Sequence, residues 1–469
     1  MSPLPHRPRL ATHALVRRHA FTSASGARRD EIVIHHAGTH RMVRLELRVF
    51  ELVAGADGTR DLDALLLFAA RSSAYRRASE VRALLHELHQ FGLLADGLDP
   101  VARTEAGDRA HGRPDRPIVA LPGFTMVCDR GGDCCRQYPS IGFEPVDVAR
   151  ARATLPDVFD AGRHPERVFL PLAGPLGGDG PSAGPVIDGR CAYLGVDTEP
   201  DACGLHARAG GDAKPLGCRL FPVVLVDDGD SIRASAKVEC SCVLRSVGRD
   251  DGAPLVPGGA RTRGALDPAI DVAVLAASVL VAGGAPPSPV GSLIAWSRAV
   301  ADAAPTDALS GAVALVEALE AHGLALAPSL DAMRSTRPLD PDALRARLAP
   351  LAGRAHAAAR SAAEWRSADD ASPRLRRKVA DALTALATDR GVLSRALAAP
   401  EATVAREEAF YLRSAIFGHQ LVSSSLPLAD ALADRAMRLL AARALPFVHG
   451  GAQALATVEV AFRTGGLGR

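Results

Sequence analysis

All eight cysteines of this 469-residue chain lie between Cys128 and Cys242. They are Cys128, the adjacent pair Cys134 and Cys135, then Cys191, Cys203, Cys218, Cys240 and Cys242. Sulfur concentrated in this way holds either disulfides or a soft metal, so the fold has to bring distant residues together. Compartment decides between the two. A secretory signal needs a basic start, an apolar run and a small-residue cleavage site. The opening stretch MSPLPHRPRLATHALVRRHAFTSASGARRD has arginines throughout and no such run. The uncharged segment 272–297 is broken by GGAPPSP after about eleven apolar residues, too few to cross a hydrocarbon core of roughly 30 Å. The expectation is a soluble cytoplasmic protein, where structural disulfides rarely persist. Metal binding therefore leads, with redox-active thiols and inert core cysteines as alternatives.

Length suggests roughly two to four domains with enough chain to bury real cores. Aromatic content is only 4%, so Leu, Ala and Val must build them. Of the 55 basic residues just three are lysines (Lys214, Lys237 and Lys378), a coding bias rather than a phosphate-binding device. A net charge of +2 gives no whole-protein reason to expect nucleic acid. Residues 1–29 carry six arginines and no acid, and read as a basic, flexible terminus.

Residues 30–95 read as a small module. EIVIHHAG and RMVRLEL can each form a strand, with Gly38 supplying the turn, and 47–54 a short helix. Val81, Leu84, Leu88 and Phe91 share one helical face that ends at Gly92. With ADGTRDLDAL and VRALLHELHQFGLL, this order resembles the PqqD-like winged-helix modules that bind leader peptides, which implies a peptide or protein partner; a plain packing or dimerisation domain fits the same residues. The Gly- and Pro-rich segment 96–117 reads as a linker, 118–250 as the cysteine domain and 251–265 as a second linker. From 266 to 469 Ala/Leu patterns dominate. Val379, Leu383 and Leu386 repeat at helical spacing, as do Leu428, Leu432, Ala436 and Leu439, with Gly323 and Gly391 placed for C-caps. The expected fold class is α+β: a winged-helix-like N-terminal module, an irregular cysteine-cluster metal domain containing a β-hairpin, and an all-α C-terminal domain.

Within the cysteine domain, FPVVLV and SIRASAKV flank a tight acidic turn at Asp228–Gly229. Such a hairpin would bring Cys218 beside Cys240, and Cys240-Ser241-Cys242 on a strand would put both sulfurs on one face. Adjacent Cys134 and Cys135 should point apart, which suits two sites, or one site with supporting thiols. Zinc takes four Cys/His ligands and an iron–sulfur cluster four thiolates, so both metals fit. His206, three residues after Cys203, is a further candidate ligand. The glycine-rich AGPLGGDGPSAG lacks the flanking strand and helix of a nucleotide loop and reads as an ordinary loop.

FTMVCDRGGDCCRQYP, GRCAYL, DACGLHARAGGDAKPLGCRLFPV and ECSCV together resemble the YkgJ-type cysteine-cluster proteins, described as zinc- or iron-chelating. The family's CC matches Cys134 and Cys135, its GxC Cys191, its next cysteine Cys203, and its CRxFP ending Cys218 to Pro222, over about 120 residues. At the front only Cys128 is kept, with Gly131 or Gly132 where another cysteine would stand; Cys240 or Cys242 can take that place. The resemblance implies metal ligation by these cysteines. The family includes FliB-type flagellin lysine-N-methylases, whose helical region the stretch EEAFYLRSAIF at 407–417 resembles; that implies S-adenosylmethionine as donor and a protein lysine as acceptor. The alternative is a non-catalytic metal-chelating or redox-sensing module that binds a protein partner.

Overall fold

Alternation in EIVIHH sets up the first sheet. In the computed structural model Ile32 and Ile34 are both fully buried. They pair across the antiparallel ladder with Leu45 and Val43. The structure describes residues 4–11, 14–22, 28–36, 42–46, 49, 53, 55–58, 60–70, 78–96, 116–129, 135–136, 141–159, 170–171, 182–184, 186–187, 190–196, 198–267, 270, 272–275, 278–303, 305–363, 371–422, 426–445 and 451–464. Gly38 lies outside them, while Val49 and Val53, within the expected short helix, are helical. Helices Leu62–Ala70 and Ala78–Gln90 cover the sheet, and Val81, Leu84, Leu85 and Leu88 close the small core. Gly92 takes φ 70°, the left-handed conformation that ends a helix.

Two boundaries differ from expectation. The arginine-rich start is not loose: Ala14–Thr22 is a strand in nine-residue register with Arg28–His36. Val186–Ile187 then adds in parallel to His19 and Ala20, and Arg190–Cys191 pairs beyond it. One five-stranded sheet therefore joins the N-terminal module to the segment carrying Cys191. Nor is 251–265 a linker. Ala253–Pro254 pairs with Thr125–Met126, and Leu255, Val256 and Arg263 are buried. Gly252 permits that pairing, because a Cβ there would stand 2.8 Å from three backbone atoms of Met126.

The acidic hairpin forms as the sequence implies. Val223–Asp227 and Ile232–Ala236 pair antiparallel, within the sheet order Ala273–Val274, Val223–Asp227, Ile232–Ala236, Ile118–Ala120. Asp228 closes the turn by accepting from the backbone N–H groups of Asp230 and Ser231 at 3.0 and 2.7 Å, and Gly229 supplies φ 95°. Burial would raise the Asp228 carboxyl, but hydrogen bonds from His419, Arg233 and Ser231, together with the Arg233 charge, hold it well below the usual range.

Nine helices of eight residues or more follow among the described residues, from Val290–Asp302 to Gly451–Thr464. Their core is continuous with the cysteine region: Phe124, Val238, Cys240, Cys242 and Leu244 pack in the same cluster as Trp296, Leu315, Phe410 and Leu440. The helix Ala402–Phe417 is the bridge. Ser414 Oγ donates to the Ala236 carbonyl at 2.9 Å, and Phe410 meets Phe124 with ring centroids 4.7 Å apart. Gly323 ends its helix at φ 58° as expected. Gly391 does not; Asp389 caps the next helix by accepting from the N–H groups of Gly391 and Val392, so this glycine sits at a helix start. No described helix is long and apolar enough to cross a membrane.

Candidate metal centre

Four of the cysteines arrive at one apolar cluster from separate stretches of chain. Cys191 is buried with Phe143, Tyr193 and Leu205, while Cys135, Cys203 and Cys218 are half-buried against the same residues. Local backbone explains the convergence. Between Cys191 and Cys203 the chain folds back on itself: Gly195 N–H donates to Ala202 O at 2.8 Å, and Gly204 N–H to Tyr193 O at 2.8 Å. Gly204 has no room for a side chain, since a Cβ would lie 2.6 Å from Val196 O. Cys203 then stands at the N-cap of the helix Gly204–Ala209.

Cys218 is positioned from elsewhere. The buried Asp147, on the helix Pro145–Thr154, accepts from Leu216 N–H at 3.0 Å and so fixes the first turn of the helix Leu216–Leu220. Arg150 donates to Asp147 Oδ1 at 3.1 Å and to Asp212 O at 3.0 Å, bracing the same loop. Arg136, next to Cys135, pairs with Asp201 just before Cys203. Phe143 and Tyr193 meet edge to face at 5.7 Å beneath the thiols. Cys134 and the glycine-rich residues 172–181 lie outside the described residues.

The remaining three cysteines form a second group. Cys240 and Cys242 are buried in the large core, and Cys128 is exposed at its edge. Cys242 is within hydrogen-bond contact of both Cys128 and Cys240. Its Sγ lies 2.8 Å from Asp129 Oδ1 and 3.9 Å from Arg245 Nη2, and Arg245 pairs with Asp129. Contact with Cys128 lowers the Cys242 thiol's pKa, but Cys240, burial and Asp129 prevail and carry it up to about 12.

Two geometric expectations fail here. The hairpin does not unite Cys218 with Cys240, because Cys218 turns into the Phe143–Tyr193 cluster while Cys240 enters the helical core. Nor do Cys240 and Cys242 share a strand face: the strand ends at Ala236, Cys240 is the N-cap of the helix Ser241–Arg245, and Cys242 lies in its first turn. His206 lies half-buried on the helix that starts at Cys203. Among the described residues no group of three or more His, Cys, Asp or Glu closes on a metal ion. What does suit a soft metal is the donor set: four of the seven described cysteines gather in one cluster.

Asp129, Asp147, Arg136 and Arg245 are functional neighbours that sequence reasoning missed. Asp129 and Arg136 follow Cys128 and Cys135 directly and Arg245 is three residues beyond Cys242, but Asp147 carries no local signal. No family model, no curated protein and no solved structure matches the chain.

Proposed function

We propose that this chain is a cysteine-cluster metalloprotein whose centre is held by Cys191, Cys203, Cys218 and the Cys134–Cys135 pair. The observation that carries the reading is the gathering of Cys135, Cys191, Cys203 and Cys218 on a single apolar cluster. Four thiolates satisfy either a tetrahedral zinc or an iron–sulfur cluster, and the resemblance to YkgJ-type proteins points to the same residues. A zinc ion there would supply folding energy; an iron–sulfur cluster would add electron transfer. Arg136, Arg150 and Asp147 hold the loops that present the thiols.

The role built on this centre is a binding module whose helical domain meets a protein partner. Three cavities in the helical region measure 270, 240 and 320 Å³. Small-molecule sites usually occupy about 300–1,000 Å³, and these three lie at or just below the lower end of that range. The second reading, a lysine methylase using S-adenosylmethionine, rests on the resemblance at 407–417. In the structure most of that stretch is core: Phe410, Tyr411, Leu412, Ala415, Ile416 and Phe417 are all buried.

Metal analysis and a visible spectrum of anaerobically prepared protein test the centre. Iron with acid-labile sulfide, or zinc, at about one site per chain is expected; metal-free protein with all thiols titrating freely would overturn it. Calorimetry with S-adenosylmethionine separates the roles: heat of binding to the metal-replete chain favours the methylase, and none favours the binding module.

A further inference from the structure

The second cysteine group has its own chemistry. Cys128 is exposed, and its sulfur is in contact with that of the buried Cys242. The contact is held by backbone. Ser246 Oγ accepts from Val127 N–H at 2.9 Å and donates to the Cys242 carbonyl at 2.7 Å, fastening the segment before Cys128 to the turn that carries Cys242. Thr125 Oγ1 adds a bond to Arg249 O at 3.0 Å. An accessible thiol is thus fixed beside an inaccessible one, and Asp129 stands at the inner sulfur.

We propose that Cys128 and Cys242 are a peroxide-oxidised thiol pair, separate from the proposed metal centre. Cys128 is the sulfur that meets the oxidant, since Cys242 is buried, with 4% exposure. The Cys128 thiolate attacks hydrogen peroxide; its S–O bond forms as the O–O bond breaks, giving a sulfenic acid and, after protonation of the departing hydroxide, water. Cys242 sulfur then attacks the Cys128 sulfur. The S–S bond forms as the S–O bond breaks, and the Cys242 proton passes through Asp129 Oδ1, 2.8 Å away, to the leaving hydroxide, which departs as a second water. The net change is two thiols and one peroxide to one disulfide and two waters. Cys135 follows Cys128 by only seven residues, so the oxidisable pair lies close in sequence to the proposed metal centre.

The test treats the full chain, metal-replete and chelator-treated, with stoichiometric hydrogen peroxide, then blocks free thiols and maps peptides without reduction. Both preparations should yield the Cys128 peptide joined to the Cys242 peptide, and Cys240→Ser should keep that link. In Cys242→Ser, Cys128 should accumulate as sulfenic acid, trapped by dimedone several-fold above the parent. Cys128→Ser should leave Cys242 reduced and metal content unchanged. Cys128 joined to Cys134 or Cys135, Cys128 left as a thiol in the parent, or metal lost in Cys128→Ser would each overturn the proposal. A disulfide formed in a chain that never binds metal would defeat the metal reading and leave this one standing.

Discussion

Glu459→Gln should destabilise the helical domain at neutral pH and lose most of that effect in acid. Glu459 is buried in the helix Gly451–Thr464 and holds a charge cluster in the core. Arg435 Nη1 lies 2.7 Å from Oε2, Arg438 Nη1 donates to Oε1 and Oε2 at 3.1 and 2.9 Å, and the Tyr411 hydroxyl donates to Oε1. Burial alone would raise this carboxyl, but Arg435 and Arg438 outweigh it and bring the group down from 4.5 to about 2. Its folded value is below its unfolded one, so the stabilisation is fully present above the unfolded value and lost as pH falls toward the folded one. At about 1.4 kcal/mol per pH unit the shift corresponds to roughly 3 kcal/mol. Removing one partner of a buried ion pair typically costs about 3–5 kcal/mol, which sets the expected loss near pH 7. Urea unfolding followed by Trp296 fluorescence reads this directly. Trp296 is buried in the same core and donates to Ser329 Oγ at 2.9 Å; replacing Trp365 by Phe leaves it as the sole reporter. Acid also strips thiolate-bound metal, but parent and variant share that loss and it cancels in their difference. The stability gap should shrink by about 3 kcal/mol between pH 5 and pH 2. A gap that stays constant over that range would refute the reasoning.

Cys203→Ala and Cys218→Ala should each abolish metal binding and lower the midpoint of thermal unfolding, because metal binding is partly folding energy, whereas Cys128→Ala should retain metal; elemental analysis of the three variants decides. Gly418→Ala should destabilise by about 1–3 kcal/mol or more in urea unfolding, since its Cβ would stand 1.8 Å from Ser235 Oγ and push the hairpin off the helix Ala402–Phe417. Glu407→Gln should gain stability relative to the parent as pH rises above the usual carboxylate range. Burial pushes the Glu407 carboxyl up, so the folded parent holds a proton longer than the unfolded chain and loses stability once that proton leaves; a variant that loses ground at high pH would contradict this.

Helical faces were legible because burial imposes a period on the sequence. Val379, Leu383 and Leu386 are fully buried, and so are Leu432 and Leu439. The acidic hairpin was legible for a similar reason, a turn chemistry written in five consecutive residues. The strand Ala14–Thr22 was not. Pairing is a property of the backbone, which the arginines there do not forbid, and one of its partners, Val186–Ile187, comes from far along the chain. Gly391 starts a helix rather than ending one because Asp389, two residues earlier, satisfies the next helix's first N–H groups with its carboxylate. Within the stretch 407–417, Glu408 accepts from Arg443 and the Tyr411 hydroxyl accepts from Arg435, which is packing chemistry.

For the cysteines the sequence carried the inventory but not the partition. Spacing along the chain made Cys218 and Cys240 neighbours across a hairpin, and the hairpin exists. Its two ends are nevertheless pulled into different cores. Asp147 takes hold of Leu216 N–H, turning Cys218 toward Cys191 and Cys203, while Ser246 ties the turn after Cys242 to Val127. Each is a long-range hydrogen bond that the residue's place in the sequence does not announce. Such bonds help to send the described cysteines to two different cores. Asp147→Ala separates one site from two: it should release the Cys218 helix and lower metal content, while the Cys128–Cys242 disulfide still forms with peroxide. Loss of both together would mean that the two groups are one site.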